Sequence, residues 1–514
     1  MIAVRKGTLA AAAGVLAVVC SACSGPPHSS AGGHPGITRL GPGGTASGSV
    51  PGSPGSASAV PQPRASDSGA SWTGYHGNAE ATGVQAAQIK LLPSRRAWTS
   101  PVLDGQLYGE PLVADGRIVA ATENDTVYVM AARSGHIMWS RHLANPVPSR
   151  DLPCGDISPM VGITGTPVID LARHEIFVDA DTLIKGPSSS GGVEASHRLF
   201  GLDLFTGKVE LSQPAMPTAG EDQLAQLQRP GLALDHGLVV IAYGQNSGDC
   251  PGPNGPAHGY VVSIPETGGP LDFFQLSSGR DRGAVWMGGS SPVVDPQGNV
   301  YVASADGYNF GAGQRYDDSD AVLELSPAMH LESIFYLQDW QQLSGGDLDL
   351  GTGDPVLVDG FVFQIGKTDT AYLLRQGHLG GKDGQIASLA VCHGDPDGGH
   401  AVMGSVLFLP CPNGVTAIRV SARAPYLKQL WTDNDGAAGA PIIAGGLVWT
   451  IGADDAVHGL NPANGKQVVS IPFGVPANHF PTPSAADGLL LLAGTSQVFA
   501  FMGPAGLPPA PPAS

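Results

Sequence analysis

Between Gly109 and Trp139 the chain consists of short runs in which apolar residues alternate with small or polar ones. The runs are separated by Asp115-Gly116, Asn124-Asp125 and Ser134-Gly135, and the last run ends at a tryptophan. Alternation with a period of two is typical of half-buried strands, and these dipeptides favour tight turns. The stretch therefore predicts four antiparallel strands joined by short turns.

The same pattern recurs along the chain, so that eight copies can be counted. The later copies begin at GTPVID, RPGLAL, GSSPVV, GDPVLV, GHAVMG, GAPIIA and TPSAAD. A four-stranded sheet of this size is not stable alone, whereas eight sheets packed face to face around an axis bury both faces of each sheet. We therefore predict an all-β fold, an eight-bladed β-propeller of four-stranded antiparallel blades.

One blade of this ring is incomplete in the sequence order. The eighth copy ends near Met502 after three strands, while the run RRAWTSPV, which contains Trp98, precedes the first copy. We expect this N-terminal run to supply the outer strand of the last blade. Such closure removes the free strand edges of an open array.

Composition agrees with a β-rich extracytoplasmic protein. Charged residues make up 14% of the chain, whereas it has 73 glycines and 44 prolines, so long amphipathic helices should be few. The formal net charge is -18 and no cluster of Lys and Arg offsets it, which argues against a nucleic-acid partner.

The N-terminus has the pattern of a secretory leader. Arg5 and Lys6 precede an apolar run too short to span a membrane stably. Ser21 and Ala22 stand directly before Cys23 and resemble the lipobox of bacterial lipoproteins, with Cys20 at a position where Leu is usual. Lipidation of Cys23 is predicted, simple secretion is the alternative, and either places the folded part outside the cytoplasm. The predicted segments are a signal peptide (1–22), a disordered Gly/Ser/Pro tether (23–71), the propeller (72–502) and a disordered tail (503–514).

The repeat resembles the pyrroloquinoline-quinone-like (PQQ-like) repeat of quinoprotein alcohol dehydrogenases. The same repeat occurs in the non-enzymatic lipoprotein that helps to assemble outer-membrane proteins in Gram-negative bacteria. Trp72-Thr-Gly-Tyr-His-Gly-Asn with Thr82-Gly83, and the segments CGDISPMVGITGTPVID, YDDSDAVLELSP and DLDLGTGDPVLVDG, add to this likeness. The resemblance extends from about Trp72 to Met502. It implies the fold but not an activity, because enzymes and scaffolds share the repeat.

Loop lengths distinguish the two faces of the predicted ring. Turns after the first and third strands of a blade, such as Asp115-Gly116 and Ser134-Gly135, are short and lie on one face, which we call the turn face. Turns after the second strand and the links between blades lie on the other, which we call the loop face. A binding site is expected on the loop face, near the links into blades two to five. The insertions of that class are residues 140–163, 182–196, 213–229, 244–257, 277–288, 306–320 and 338–351.

Four cysteines follow the leader, an even number in an oxidising compartment. Cys392 lies between blades five and six, and Cys411 follows the second strand of blade six, so we expect them to form a disulfide on the loop face. Cys154 and Cys250 are the two cysteines that remain, so we expect them to form a second disulfide. A zinc site is the rival interpretation, but Cys-x-x-Cys spacing and paired histidines are absent from the sequence.

A quinone cofactor, which the resemblance brings into consideration, would need a flat apolar platform, cations for its carboxylates and a calcium ion with oxygen ligands. The calcium ligands would then be Asp306, Asp317 and Asp320. The candidate residues for a cofactor or ligand are Trp286, Trp340, Asp306, Asn309, Asp317, Asp349 and Lys367.

Each candidate also has a purely structural interpretation. Tryptophans at such positions commonly pack between blades, and aspartates in loops commonly cap turns. Asp347-Leu-Asp349 alternates like a strand that lines a channel, and Lys367 stands where the repeat has its second turn. The adjacent cysteine pair that many quinoprotein alcohol dehydrogenases place over the cofactor is absent, as is the Cys-x-x-Cys-His of a covalently bound haem. Catalytic residues are therefore not assigned.

Two functions remain open. The first is a lipid-anchored, monomeric propeller without a cofactor that binds or scaffolds an envelope protein or a cell-wall ligand, and this is the function we favour from the sequence. The alternative is a PQQ-dependent dehydrogenase, with Ca²⁺, that oxidises alcohols or sugars. The enzyme should have a central cleft closed by Trp286 or Trp340 in which several carboxylates converge. A scaffold should have a water-filled or apolar channel with those acids pointing outward.

Overall fold

A computed structural model describes residues 71–85, 95–187, 192–217, 222–246, 257–277, 282–307, 316–396, 398–436 and 439–503. The predicted signal peptide, Cys23, nearly all of the tether and tail, Asn309 and Cys250 lie outside these ranges. Among the helices described, none is both long and apolar enough to cross a membrane.

Eight sheets, each with four antiparallel strands, form the blades, and blades 3 and 4 each have a short fifth strand, which in blade 4 pairs in parallel. Strand β1 (Arg95–Thr99) belongs to blade 8. In blades 1 to 4 the strands are β2 (Leu112–Ala114), β3 (Arg117–Thr122), β4 (Thr126–Ala131) and β5 (Ile137–His142); β8 (Val168–Asp170), β9 (Glu175–Lys185), β10 (Glu194–Asp203) and β11 (Val209–Pro214); β12 (Gln226–Leu227), β13 (Ala233–Asp235), β14 (Leu238–Gln245), β15 (Tyr260–Pro265) and β16 (Asp272–Gln275); and β17 (Val293–Val294), β18 (Val300–Ala303), β19 (Ala321–Leu325), β20 (Leu331–Tyr336) and β24 (Gly381–Lys382). In blades 5 to 8 they are β21 (Val356–Val358), β22 (Phe361–Ile365), β23 (Thr370–Arg375) and β25 (Ala387–Ala390); β26 (Ala401–Met403), β27 (Val406–Cys411), β28 (Gly414–Val420) and β29 (Leu427–Thr432); β30 (Ile442–Ala444), β31 (Leu447–Ile451), β32 (Ala456–Leu460) and β33 (Gln467–Pro472); and β34 (Ser484–Ala486), β35 (Leu489–Ala493) and β36 (Val498–Met502).

The remaining elements are short and lie in loops. They are the strand pair β6 (Val147–Pro148) and β7 (Met160–Val161), the α-helix α1 (Trp340–Gly345), and the 3₁₀ turns Tyr75–Gly77, Ser149–Asp151 and Met287–Gly289.

Burial follows the position of a strand in its blade. In blade 1 the middle strands β3 and β4 are buried almost throughout because neighbouring blades cover both of their faces. The outer strand β5 has four of its six residues exposed to solvent. The eight-bladed architecture predicted from the repeat is confirmed.

The ring closes as predicted. Strand β1 pairs with β36, with Arg95 opposite Met502 and Thr99 opposite Phe499. The first and last parts of the propeller therefore share one sheet, and the eighth blade has no missing strand.

The tryptophan that ends some copies of the repeat docks on the next blade. Trp139 on β5 donates a hydrogen bond from Nε1 to the carbonyl of Leu204, 3.1 Å away, and its ring lies against Gly207. Trp98 makes the equivalent bond to Ala132, and Trp431 makes it to Pro462. The Thr-Gly-type turn and the terminal aromatic residue of the repeat thus form one contact between blades.

Residues 71–85, which we call the central segment, lie inside the ring. Trp72 pairs antiparallel with Val113 of β2, and β2 runs toward the turn face, so the chain enters from that face. It turns at Tyr75 and His76 and returns beside β30. Its backbone bonds to the inner strands of five blades, through the pairs Trp72–Val113, Thr73–Ile169, Ala79–Val294, Thr82–Val402 and Val84–Ile443.

Candidate functional site

A cleft of about 300 Å³ opens on the loop face where several blades converge. Its wall residues come from the links into blades 2, 3, 4, 5, 6 and 8 and from the turns after β14, β18 and β22. We call this cavity the central cleft. Its lining residues are Asp156, Leu227, Arg229, Gln245, Trp286, Asp306, Asp347, Asp349, Lys367, Asp395, His479 and Phe480.

Three carboxylates meet in the central cleft. One oxygen each of Asp306, Asp347 and Asp349 lies within 4.8 Å of the other two, a separation suited to a shared metal ion. Asp306 follows β18 with a φ of 58°, and Asp347 has a φ of 53°, which aspartate tolerates better than most residues. Asp349 is 1% exposed, and its Oδ1 has no hydrogen-bond partner among the described residues. A buried oxygen of this kind is costly unless a cation, a proton or a polar ligand satisfies it.

Lys367 is the cation closest to this group. Its Nζ lies 2.7 Å from Asp347 Oδ1 and 2.8 Å from Asp349 Oδ2. It also lies 5.2 Å from the centre of the Trp286 ring, within cation–π range. One ammonium therefore contacts two carboxylates and an aromatic platform.

These contacts set the protonation of the acids. Burial raises the pKa of Asp349 to about 6, and the positive charge of Lys367 limits that rise. Burial acts in the same direction on Asp347, but Lys367 holds the pKa of this more exposed carboxyl below its usual value. Burial opposes the charge of Lys367 as well, yet Asp349 and Asp347 raise its pKa. The cleft is accordingly acidic with one fixed ammonium.

The Trp286 side chain is positioned by a hydrogen bond at its ring edge and by a tight turn that follows it. Its Nε1 donates a hydrogen bond of 3.1 Å to Asp306 Oδ2. The 3₁₀ turn that follows contains Gly288, with a φ of 56°, and a side chain there would collide with the backbone of Gly398 and Thr352. Glycine is required because two loops approach this backbone closely.

The lining also contains a second cation and a second ring. The Arg229 guanidinium lies 4.6 Å from the centre of the Phe480 ring, and its Nη1 is 4.0 Å from Asp156 Oδ1. Two pairs of a cation with an aromatic ring therefore line the cleft, Lys367 with Trp286 and Arg229 with Phe480.

The central segment supports the floor of the cleft. The Tyr75 hydroxyl accepts a hydrogen bond of 3.0 Å from the Gly399 amide and lies 3.4 Å from the Thr482 hydroxyl. Gly399 is adjacent to Gly398, which packs on Gly288 below Trp286. The Tyr75 hydroxyl thus connects the central segment to the loop backbone that packs below Trp286.

Several predicted residues lie elsewhere. Trp340 begins helix α1, is 6% exposed, and packs edge-on against Tyr316 at 5.3 Å rather than lining the cleft. Asp317 bonds to Ser319, and Asp320 bonds to the Leu350 amide, so the carboxylate group contains Asp347 and Asp349 in their place. The difference arises because residues 347–349, in the link into blade 5, bring their carboxylates to Asp306.

Two local interpretations also change. Asp347-Leu-Asp349 is irregular and not a strand, beginning in the turn after α1, and both carboxylates approach one ammonium. Lys367 lies in the turn after β22 as the repeat indicated, and it is also part of the cleft.

The disulfide between Cys392 and Cys411 is present, with Cα atoms 4.9 Å apart. It fastens the link into blade 6 close to Asp395 of the cleft. Cys154 is disulfide-bonded as well. Because Cys250 lies outside the described residues, its pairing with Cys154 stays a prediction.

Sequence reasoning missed three lining residues that share one signal. Arg229, Asp395 and Phe480 each stand directly before a proline at a link between blades. A proline restricts the backbone of the residue before it to extended conformations, and in each case it stands at or a few residues before the start of a repeat copy.

Residues 84–251, about a third of the chain, match the family model PQQ_2, described as outer membrane protein assembly factor BamB. The search of curated proteins found no significant match. The resemblance to PQQ-like propeller repeats that the sequence predicts is confirmed.

Solved structures with the same fold include three alcohol-oxidising enzymes. Quinohemoprotein alcohol dehydrogenase ADHIIG from Pseudomonas putida HK5 is 14% identical, with a TM-score of 0.61 over 87% of this chain and 82% of that one. The enzyme from Comamonas testosteroni is 14% identical, with a TM-score of 0.55 over 87% and 82%. A europium-containing methanol dehydrogenase is 13% identical, with a TM-score of 0.59 over 85% and 98%. At these identities the likeness establishes the fold alone.

Proposed function

We propose that this propeller of PQQ-like repeats is extracytoplasmic and binds a planar, anionic small ligand together with a divalent cation in its central cleft. The observation that carries the proposal is the convergence of Asp306, Asp347 and Asp349 beside Trp286. This is the arrangement expected of the enzymatic alternative, in which acids meet at the centre. The predicted secretory leader and the Cys392–Cys411 disulfide support the location.

The residues present fit PQQ with calcium. Calcium prefers oxygen ligands, and the three aspartates supply only oxygen, including the unpartnered Asp349 Oδ1. Trp286 supplies a flat aromatic face, while Lys367 and Arg229 supply positive charge for carboxylates of the ligand. When bound, the quinone accepts two electrons and the metal polarises it, which is the chemistry of alcohol or sugar oxidation.

The protein's own part in such a reaction follows from the cleft. Asp349 Oδ1 would be a ligand of the cation, and a pKa of about 6 keeps this carboxylate largely ionised at neutral pH. Lys367 would remain charged throughout and hold Asp349 in place. Trp286 and Phe480 would each cover part of the ligand and exclude water from it.

The test adds PQQ and calcium to the purified mature protein and measures thermal shift and dye reduction with a panel of alcohols and sugars. Saturating ligand should raise the melting temperature by about 3–5 °C. Asp349→Asn should abolish dye reduction, whereas Asp317→Asn, outside the carboxylate group, should not. Absence of both shift and turnover in the wild-type protein would overturn the quinone proposal.

A second candidate function is a binding module without a cofactor for an envelope protein or a cell-wall ligand, anchored through lipid on Cys23. It is favoured by the Lys367 ammonium, which already neutralises part of the acid group. The match of residues 84–251 to an assembly-factor model also supports it. Cross-linking in the cell envelope followed by mass spectrometry should then recover one dominant protein or wall fragment, and recovery of neither would reject this candidate.

A further inference from the structure

A second cavity of about 340 Å³ lies beside the central cleft on the loop face. It is formed by the links into blades 6, 7 and 8 and by the turns after β27 and β31. Its volume is in the range of small-ligand pockets, about 300–1,000 Å³. We call it the side cavity.

The side cavity and the central cleft share a wall. Asp395, His479 and Phe480 line both. Arg229 lies against the Phe480 ring and lines only the central cleft. A ligand in the side cavity can therefore reach past Phe480 toward Lys367 and the carboxylate group.

The lining of the side cavity is apolar with an acidic rim. Pro410, Pro412, Ile451 and Pro481 supply hydrocarbon surface, while Asp395 and Asp455 supply carboxylates. Lysine and arginine are absent from its described lining residues. Anionic ligands are disfavoured there because Lys367, the cation that acts on Asp395, lines the central cleft and not the side cavity.

A neutral sugar ring satisfies both kinds of surface. Its C–H faces can pack on proline and phenylalanine, and its hydroxyl groups can donate hydrogen bonds to the carboxylates. A purely aliphatic alcohol would leave both carboxylates without a donor, and a short alcohol would fill the central cleft without needing the side cavity.

We propose that the side cavity binds one ring of a neutral saccharide, whose neighbouring end extends into the central cleft. As a statement about a substrate, this rests on the proposed function. As a binding site, it stands on the lining of the cavity alone. The predicted order of affinity is a neutral disaccharide above a single sugar, and both above a uronic-acid disaccharide.

The experiment titrates cellobiose, maltose, glucose and digalacturonate into the mature protein by calorimetry, without quinone or added calcium. Ala453→Trp, at the rim of the side cavity, should weaken binding of the preferred neutral disaccharide at least tenfold. Val468→Trp, on the exposed outer strand of the same blade, is the matched control and should leave it unchanged. Asp395→Asn should weaken it by a smaller factor.

The proposal would be overturned if Ala453→Trp did not weaken binding of the neutral disaccharide. It would also be overturned if digalacturonate bound most tightly, or if none of the four sugars bound. Thermal shift with PQQ and calcium is read on the same Ala453→Trp protein. A retained shift shows that this variant is folded and that the central cleft is intact. Sugar binding without any quinone response would overturn the proposed function and leave the side cavity as a saccharide site.

Discussion

Lys367 is the residue on which the charge of the central cleft depends. It is 14% exposed and contacts two carboxylates, one of them almost fully buried. Without Lys367, the Asp349 carboxylate would still be buried, but no positive charge would offset the free energy that its burial costs.

Replacing Lys367 by methionine should therefore lower the free energy of unfolding by about 2–4 kcal/mol at pH 8. The loss should be smaller at pH 5, because the pKa of Asp349 rises further and the carboxyl is then protonated. Denaturant titrations at both pH values measure the effect. Lys208→Met, which removes an exposed pair with Glu210, should cost less than about 0.5 kcal/mol. Equal losses at the two pH values would contradict this description of the cleft.

At the scale of the elements, the contact of a tryptophan with the following blade explains two features of the repeat, the terminal tryptophan and the glycine of the Thr-Gly-type turn. Gly207 has a φ of 67°, and a Cβ there would lie 2.6 Å from Trp139. Gly116 has nearly the same backbone, with a φ of 70°, but nothing would lie within 4 Å of its Cβ. Comparing substitutions at the two glycines therefore distinguishes the cost of backbone strain from the contribution of the contact between blades.

Alanine at Gly116 should cost about 1 kcal/mol from the left-handed backbone alone. Alanine at Gly207 should cost a further 1–3 kcal/mol, roughly, because Trp139 must move. Denaturant midpoints of the two variants, measured with the wild-type slope, give the comparison. The same loss in both would mean that the tryptophan contact contributes nothing to stability.

The central segment is the element that joins the start of the propeller to the candidate site. Tyr75 is 2% exposed, and its hydroxyl is the partner of the Gly399 amide. An amide that loses its partner in a buried place keeps the cost of desolvation.

Tyr75→Phe should reduce stability by about 1–3 kcal/mol and weaken ligand binding in the central cleft, since Gly398 and Gly399 support Gly288. Tyr426→Phe, at a half-buried position in blade 6, is the control and should change neither quantity. Unfolding curves and calorimetric titration of the cofactor provide the two measurements. A loss of stability without any change in affinity would show that the floor of the cleft does not depend on Tyr75.

At the scale of the whole molecule, a buried group of acids joins blades 1 and 2. Glu123, Asp125, Asp179 and Asp181 are at most 2% exposed. His197 Nδ1 lies 2.9 Å from Asp179 Oδ2, and its Nε2 lies 4.0 Å from Asp181 Oδ1. Both oxygens of Asp125 and of Asp181 are without a hydrogen-bond partner in the described part of the chain. The folded protein must hold protons here.

Burial raises the pKa of Glu123 and of Asp181 to about 7. For His197 burial acts in the opposite direction, but Asp181 and Asp179 raise its pKa to about 9. Each folded value lies above the ordinary one, so the stabilisation is complete below about pH 4 and is lost as the pH rises through 7 and then 9. The free energy of unfolding should thus fall over this window, by roughly 2–4 kcal/mol per acid.

Asp181→Asn should flatten this dependence and raise the melting temperature at pH 8. Asp359→Asn, in an exposed turn that asparagine also tolerates, should leave the slope unchanged. Melting temperatures between pH 4 and pH 9 give the answer. A wild-type protein that becomes steadily more stable over that range would contradict the assignment.

The sequence predicted the fold much better than the site, for a physical reason. Strands, turns and blade order follow from local periodicity, and the closing strand followed from one missing edge near Met502. The carboxylate group depends on how the link into blade 5 brings Asp347 and Asp349 to Asp306, and no repeat constrains this link. Trp286 could be placed because it stands in the segment that leads into the inner strand β17, whereas Trp340 lies within a longer insertion and begins a helix.

Terbium luminescence tests the central claim most directly, because Tb³⁺ replaces Ca²⁺ at oxygen sites and a neighbouring tryptophan sensitises its emission. Titration of Tb³⁺ into the mature protein should give saturable emission that Ca²⁺ displaces. Asp349→Asn should weaken the binding at least tenfold, and Trp286→Phe should remove most of the emission while Ca²⁺ still competes for the site. Emission that is absent, or that neither variant alters, would show that the carboxylates of the central cleft do not bind a metal ion.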